Sequence, residues 1–132
     1  MGNTLGIKKV GFLDMQEIIK NKNYYIINTL SLHNQDCVIK NTINPSDEVK
    51  IINNFIKIDK NISIVLYGIN CLDESVVKKY NQLLSLGFKN IYIYIGGLFE
   101  WLMLQDIYGI EQFPTTSSVS DILKYSSKKI LN

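Results

Sequence analysis

The fold is decided by residues 62–101, which read ISIVLYGINCLDESVVKKYNQLLSLGFKNIYIYIGGLFEW. Two runs of apolar and β-branched residues, Ile62–Tyr67 and Ile91–Ile95, are typical of strands that are buried on both faces. Between them, apolar residues over 76–84 recur at the spacing of an amphipathic helix, and Gly87 stands where such a helix ends. A strand, a helix and a second strand in this order predict a right-handed crossover and therefore a parallel sheet.

The same alternation extends towards the amino terminus. Residues 24–29 form another continuous apolar run, and a helical pattern over 12–20 precedes it. A further helix is predicted from Pro45, because Asn44 is a good cap and proline suits the first helical position. Residues 30–43, between that strand and that helix, are expected to form a long surface segment with a short strand in it.

Downstream of the second strand, Gly96-Gly97 is predicted to turn the chain into a helix that carries Trp101. A loop rich in Gly, Pro, Thr and Ser follows over 109–118, and it is either a recognition surface or a strap that closes over the sheet edge. A last short helix is predicted over 119–125. The chain therefore alternates strands and helices from end to end.

A chain of 132 residues is long enough to bury its own core. We predict a single domain over residues 1–132 whose two ends, 1–10 and 126–132, are loose. Its expected fold class is α/β, in three layers, with a mainly parallel sheet of about five strands flanked by helices.

Composition excludes several classes of function. The net charge is +2, from fourteen lysines and twelve acids, which is too balanced for a nucleic-acid-binding protein. No apolar run approaches ~18 residues, so no transmembrane segment is predicted. With only two cysteines and one histidine, we predict no disulfide framework, metal site or cofactor, and a reduced, cytoplasmic protein. The sequence also has no arginine, so an anion could be bound only by backbone N–H groups, lysines or neutral donors.

Several of these residues together resemble the carboxyl-terminal half of a rhodanese domain. They are the strand Ile-Val-Leu-Tyr-Gly at 64–68, the helix stop and strand Leu-Gly-Phe-Lys-Asn-Ile-Tyr at 86–92, then Gly96-Gly97 and Trp101. Upstream, Tyr25–Thr29 stands where that family has an earlier strand. The resemblance implies a rhodanese-like fold in which the loop after the 64–67 strand binds the ligand. It also implies thiosulfate-type sulfur transfer through a cysteine persulfide.

The candidate ligand-binding loop departs from the family at two points. It consists of Gly68, Ile69, Asn70, Cys71, Leu72, Asp73 and Glu74. The family places its nucleophilic cysteine at the junction of strand and loop, where this chain has Gly68. It often ends the loop with an arginine, whereas this chain has Asp73 and Glu74, which suit a helix start but disfavour an anionic substrate.

Two functions therefore compete. The first is a binding or regulatory module without sulfurtransferase activity, whose partner is an unknown protein or a small anionic or sulfur ligand. The second is a thiosulfate-type sulfurtransferase or persulfide carrier that uses Cys71, the candidate catalytic residue. A helix start would favour the Cys71 thiolate, but the two neighbouring carboxylates oppose ionisation, so Cys71 can equally be an incidental loop cysteine. A phosphatase of this fold would need a cysteine at the start of the loop and an arginine at its end, and both are missing.

Other reactive or aromatic side chains have simpler interpretations. Cys37 is expected to be a packed or surface thiol, and His33 an exposed loop histidine without a partner. Four aromatic residues could form a ligand platform, but their alternation and helical spacing favour packing in the core. They are Tyr92, Tyr94, Phe99 and Trp101.

Overall fold

The computed structural model describes residues 6–131. Its strands are β1 (Lys8–Val10), β2 (Tyr24–Asn28), β3 (Ser63–Tyr67) and β4 (Asn90–Tyr94). Its helices are α1 (Phe12–Lys20), α2 (Pro45–Ile58), α3 (Ser75–Ser85) and α4 (Gly97–Tyr108), with short 3-10 turns at Leu32–Asn34 and Ile122–Tyr125. The predicted α/β class and the order of strands and helices are confirmed.

The sheet in the described residues has four parallel strands in the order β1-β4-β3-β2. One of its faces packs against α1 and α4, and the other packs against α2 and α3. About five strands were expected. The difference arises in the 38–43 segment, which makes two isolated bridges instead of a fifth strand. Thr42 pairs with Ile26 of β2, and Ile39 pairs with Thr115.

The expectation of a surface segment over 30–43 holds for residues 31–36, which are exposed or half-buried, and fails for residues 37–39, which are buried. Cys37 and Ile39 are completely buried, because residues 113–117 run across them. The backbone N–H of Lys40 donates to the Pro114 carbonyl (3.1 Å), and other hydrogen bonds continue the contact on both sides. Residues 113–117 are therefore a strap across the segment, which was one of the two alternatives for the 109–118 loop.

The two ends of the chain also differ in detail from the sequence-based expectation. Within 1–10, residues Lys8–Val10 form the edge strand β1, paired with β4; residues 1–5 lie outside the described part of the chain. The last helix, expected over 119–125, is only the 3-10 turn Ile122–Tyr125. Residues 126–131 follow it without regular structure.

The predicted start of α2 and the predicted end of α3 are confirmed. The Asn44 side chain accepts a hydrogen bond from the backbone N–H of Ser46 (3.0 Å) and so caps α2. At the end of α3, Gly87 has φ +102°, which favours glycine. Its N–H and that of Phe88 donate back to carbonyls of the last helical turn, the pairing that commonly ends a helix.

A buried tyrosine at the end of β3 holds the 37–42 segment onto the sheet. The Tyr67 hydroxyl accepts the backbone N–H of Ile39 (3.1 Å) and lies 2.8 Å from Thr42 Oγ1. Because the Thr42 hydroxyl donates to the Ile39 carbonyl (2.6 Å), the Tyr67 hydroxyl must donate to Thr42. Burial raises the pKa of Tyr67 above the usual tyrosine range, so this proton stays in place.

Replacing Tyr67 by Phe is expected to lower the free energy of unfolding by about 1–3 kcal/mol, because it leaves the buried N–H of Ile39 without its acceptor. The measurement is urea-induced unfolding. Tyr25→Phe is the matched control, since Tyr25 packs against Phe55 and its hydroxyl makes no hydrogen bond to the protein within residues 6–131. Equal stabilities for the two variants would show that the Tyr67 network contributes nothing.

Stability is also expected to fall as the pH rises above ~10, where an unfolded tyrosine loses its proton. Burial raises the pKa of Tyr67, and burial together with the Tyr94–Glu100 hydrogen bond raises the pKa of Tyr94. Both hydroxyls therefore stay protonated in the folded chain while the unfolded chain binds fewer protons, so their contribution is complete below ~10 and is lost above it.

The measurement is urea unfolding at about pH 8 and about pH 11. Lysines titrate in the same range, so the wild type is compared with a variant that carries Tyr67→Phe and Tyr94→Phe. The loss of stability between the two pH values should be smaller in the variant. An identical loss in both proteins would contradict the assignment.

Candidate functional site

The candidate loop begins where β3 ends, at the carboxyl edge of the sheet, and the start of α4 lies directly against it. The N–H groups of Leu98 and Phe99 donate to the carbonyls of Gly68 (2.9 Å) and Ile69 (2.8 Å). Gly97 has φ +70°, and a Cβ there would lie 2.8 Å from the Gly68 carbonyl oxygen. Only glycine allows this close approach, so the predicted Gly96-Gly97 turn also fixes the loop.

The Asp73 carboxylate occupies the inside of the loop. One of its oxygens accepts the backbone N–H of Ile69 (2.9 Å). The other accepts the backbone N–H of Ser75 (3.0 Å) and the Ser75 hydroxyl (2.5 Å). Thr29 Oγ1 lies 2.7 Å from Ser75 Oγ, and since a carboxylate can only accept, Thr29 must donate to Ser75. The negative charge bound inside the loop is therefore that of the Asp73 side chain, a residue of the loop itself.

Gly68 leaves no room for a side chain at the junction of strand and loop. A Cβ built on it would lie 2.6 Å from Val76 Cγ2 and 2.8 Å from the Asp73 carboxyl carbon. Both distances are far shorter than real contacts of a Cβ atom. The position at which the resemblance would place a nucleophile is thus filled by the neighbouring side chains.

The outer part of the loop forms one surface with the carboxyl-terminal segment. The Asn70 side chain donates to the Tyr125 carbonyl (3.0 Å) and accepts the N–H of Leu72 (2.9 Å). Tyr125 itself is buried. A cavity of about 560 Å³ opens between the loop and residues 124–130, and Lys124 and Lys128 are among the residues that line it. Sequence reasoning missed this contact, for which the lone aromatic residue in the polar tail was the available signal.

Cys71 lies in the loop and is exposed, whereas the structure separates the other two candidates, Cys37 and His33, from the loop. Cys37 is a packed thiol, as expected, and donates to the Ser117 carbonyl (3.3 Å). His33 is exposed and lies 3.3 Å from Ser31 Oγ. Neither Cys37 nor His33 forms a hydrogen bond with the loop in the described part of the chain. In residues 6–131, no group of three or more His, Cys, Asp or Glu side chains could hold a metal ion.

Packing in the core is confirmed in full for two of the four aromatic residues and in part for the other two. Tyr94 and Trp101 are buried and meet edge to face, with ring centroids 5.9 Å apart. The Trp101 indole N–H donates to the Pro114 carbonyl (3.1 Å), so it joins α4 to the strap. Tyr92 and Phe99 are only partly buried at the edge of this cluster.

Neither a protein-family model nor a curated protein sequence matches the chain. Solved structures do. The solution structure of the rhodanese-like domain of the Alr3790 protein from Anabaena sp. aligns with a TM-score of 0.57 at 20% identity, over 94% of this chain and 93% of that domain. A crystal structure described as the Rhodanese_3-like domain of Alr3790 gives 0.52 at 25% identity, over 71% and 99% of the two chains. The single-domain sulfurtransferase RDL2 of Saccharomyces cerevisiae gives 0.57 at 18% identity, over 78% and 94%.

The described residues therefore form a single rhodanese-like domain, in which a four-stranded parallel sheet is flanked by four helices. Within those residues, no helix has the length and apolar character needed to cross a membrane.

Gly68→Ala is expected to lower the free energy of unfolding by about 1–3 kcal/mol, because the new methyl group overlaps Val76 and Asp73. Gly6→Ala is the matched control and should stay within about 0.5 kcal/mol of the wild type, since nothing lies within 4 Å of a Cβ at Gly6.

Adding Asp73→Ala to Gly68→Ala should recover part of the loss caused by the overlap. A double-mutant cycle from urea unfolding measures this coupling. Strictly additive effects of the two substitutions would show that the carboxylate does not fill the space at the junction.

Proposed function

We propose that this rhodanese-like domain is a binding or regulatory module without sulfurtransferase activity. The observation that carries the proposal is the Asp73 carboxylate inside the loop, bonded to the backbone N–H groups of Ile69 and Ser75. Donors of this kind are what a loop at a helix start offers to a bound anion. Here they are already occupied, and the occupant is covalently part of the chain.

The missing nucleophile supports the same conclusion. A persulfide mechanism needs a thiolate that attacks the sulfane sulfur of the donor. Gly68 stands at the position that the resemblance assigns to this thiolate, and the space beyond its Cα is filled by Asp73 and Val76. A cysteine at this position would have to displace both side chains before it could meet a donor.

The charge of the loop also opposes an anionic donor such as thiosulfate. Asp73 and Glu74 stand side by side at the start of α3, and like charges repel an approaching anion. The sequence contains no arginine to form paired hydrogen bonds with such an anion. A small anionic ligand, thiosulfate included, is therefore the less favoured partner for this loop.

A protein partner fits the outer surface better. Leu72 on the loop and Leu123 and Ile130 on the carboxyl-terminal segment are exposed apolar side chains. Lys124 and Lys128 line the cavity between these two parts of the chain. Asp73 and Glu74 line the same cavity, so its apolar side chains stand next to charges of both signs. Such a surface suits a protein segment that carries apolar residues together with both acidic and basic ones.

Persulfide carriage by Cys71 is the second candidate, because its thiol is exposed within the same loop. A sulfur carrier needs such access, and it needs no nucleophile at the junction if another protein delivers the sulfur. The two candidate functions differ in whether the Cys71 thiol takes up a sulfur atom, and a single experiment tests this.

We expect the reduced protein to form no thiocyanate from thiosulfate and cyanide, and intact-mass spectrometry to show no reductant-sensitive gain of sulfur after exposure to thiosulfate or polysulfide. The Cys37→Ser variant keeps only the loop thiol, and the Cys71→Ser variant keeps only the buried one. Turnover, or a sulfur adduct that is present in Cys37→Ser and absent from Cys71→Ser, would contradict the proposal and establish Cys71 as the carrier.

A further inference from the structure

The chain is anchored at Tyr125 and unattached beyond the next residue. The Tyr125 ring is buried in the core on the α4 side, and its carbonyl accepts the Asn70 side chain (3.0 Å). The N–H and the hydroxyl of Ser126 both donate to the Leu123 carbonyl (3.0 and 2.7 Å). In the part of the chain that the structure describes, no hydrogen bond joins residues 127–131 to any other residue. The chain can therefore pivot after Ser126.

Residues 127–131, which we call the distal segment, border the 68–74 loop across the cavity of about 560 Å³. Lys128 and Ile130 line this cavity, whereas Lys129 and Leu131 do not. Such alternation is that of an extended chain, whose successive side chains point to opposite sides. The distal segment therefore turns one lysine and one apolar side chain towards the loop.

The two sides of the cavity are complementary in charge and in apolar surface. The loop side contributes the carboxylates of Asp73 and Glu74, together with Leu72, which is 68% exposed. The opposite side contributes Lys128 and Ile130, and Ile130 is 91% exposed. Within residues 6–131, Lys128 takes part in no ion pair. Its charge is thus available to the carboxylates across the gap, and the apolar side chains would lose exposed surface on contact.

Closure of the gap is within reach of the distal segment. Its five residues span about 17 Å when extended, and so short a tether keeps it near the loop at an effective concentration in the millimolar range. A weak attraction is then enough to hold it closed for part of the time. The Debye length is ~30 Å at ~0.01 M salt and ~3 Å at ~1 M salt, so the attraction between the charges is expected to depend strongly on salt.

We propose that the distal segment is an autoinhibitory cover, which closes over the 68–74 loop and is displaced when the loop binds its partner. On closure, Lys128 approaches Glu74 and Ile130 packs on Leu72. A partner that binds the loop competes with the distal segment for these side chains, so it binds more weakly while the cover is closed. This inference rests on the proposed function of the loop as a binding surface.

The test is 15N NMR relaxation of the intact chain at about 10 mM and about 1 M salt. The order parameter of the Ile130 amide is expected to fall by at least about 0.2 on going to high salt, from the range of an ordered backbone towards that of a flexible one. A neutral gadolinium chelate in the solvent reports on the loop. It should broaden the amide signal of Leu72 more strongly at high salt, because the cover has then left the loop.

Neighbouring residues provide matched control variants. At low salt, Lys128→Glu should lower the Ile130 order parameter as much as high salt does, because repulsion from the loop replaces attraction. Lys129→Glu makes the same change of charge on a side chain that does not line the cavity, and it should have at most about half of that effect. Ile130→Ser and Leu131→Ser form a second pair, in which only the first should increase the broadening at Leu72. All four side chains are exposed, so these variants are expected to fold.

Equal mobility of the Ile130 amide at both salt concentrations would overturn the proposal, and so would equal effects of Lys128→Glu and Lys129→Glu. These measurements do not involve sulfur, so the cover and the proposed function of the loop can fail separately. A mobile distal segment in a chain that takes up no sulfur would refute the cover alone. A sulfur adduct on Cys71 in a chain whose distal segment closes would refute the binding module alone.

Discussion

Both faces of β3 are buried, and this constraint organises the molecule around it. Ile64 and Leu66 pack beneath α2 and α3, while Val65 and Tyr67 point to the side of α1 and α4. Along its length such a strand has no free group for polar chemistry, because neighbouring strands bind its backbone groups and helices cover its side chains. Polar residues can therefore follow only at its ends. The candidate loop accordingly begins at the carboxyl end of β3, where Gly68 follows the strand. The 37–42 segment, which the Tyr67 hydroxyl holds, and the strap that pairs with this segment complete the cover on the α1 and α4 side.

The part of this arrangement that is local in sequence could be predicted. The crossovers, the cap at Asn44 and the helix stop at Gly87 depend on residues close to one another along the chain, and all three are confirmed. The packing of Trp101 was also predictable, from its spacing in an apolar helix. For the cap and the helix stop, the deciding hydrogen bonds lie within one turn of the residue concerned.

The part that depends on distant residues could not be predicted. Nothing near Cys37 indicates that residues 113–117 cover it, and nothing near Asn70 indicates its bond to Tyr125. Asp73 is the instructive case. Its position before a helix correctly suggested an interaction with the helix start, which is its bond to Ser75. Its second bond, back to Ile69, depends on the path of the loop, and it is this bond that bears on function.

The strap has a consequence for how the chain reaches its native state. It pairs residues far apart in sequence, such as Val38 and Thr116, which are 78 positions apart. Closing so long a loop has an entropic cost that later contacts must offset, whereas each strand–helix–strand unit closes over a shorter stretch. Pairing at this separation, like that of β1 with β4, raises the contact order of the fold and so tends to slow its formation. The strap is thus expected to join an already assembled sheet, and β3 and β4 can pair before residues 113–117 dock.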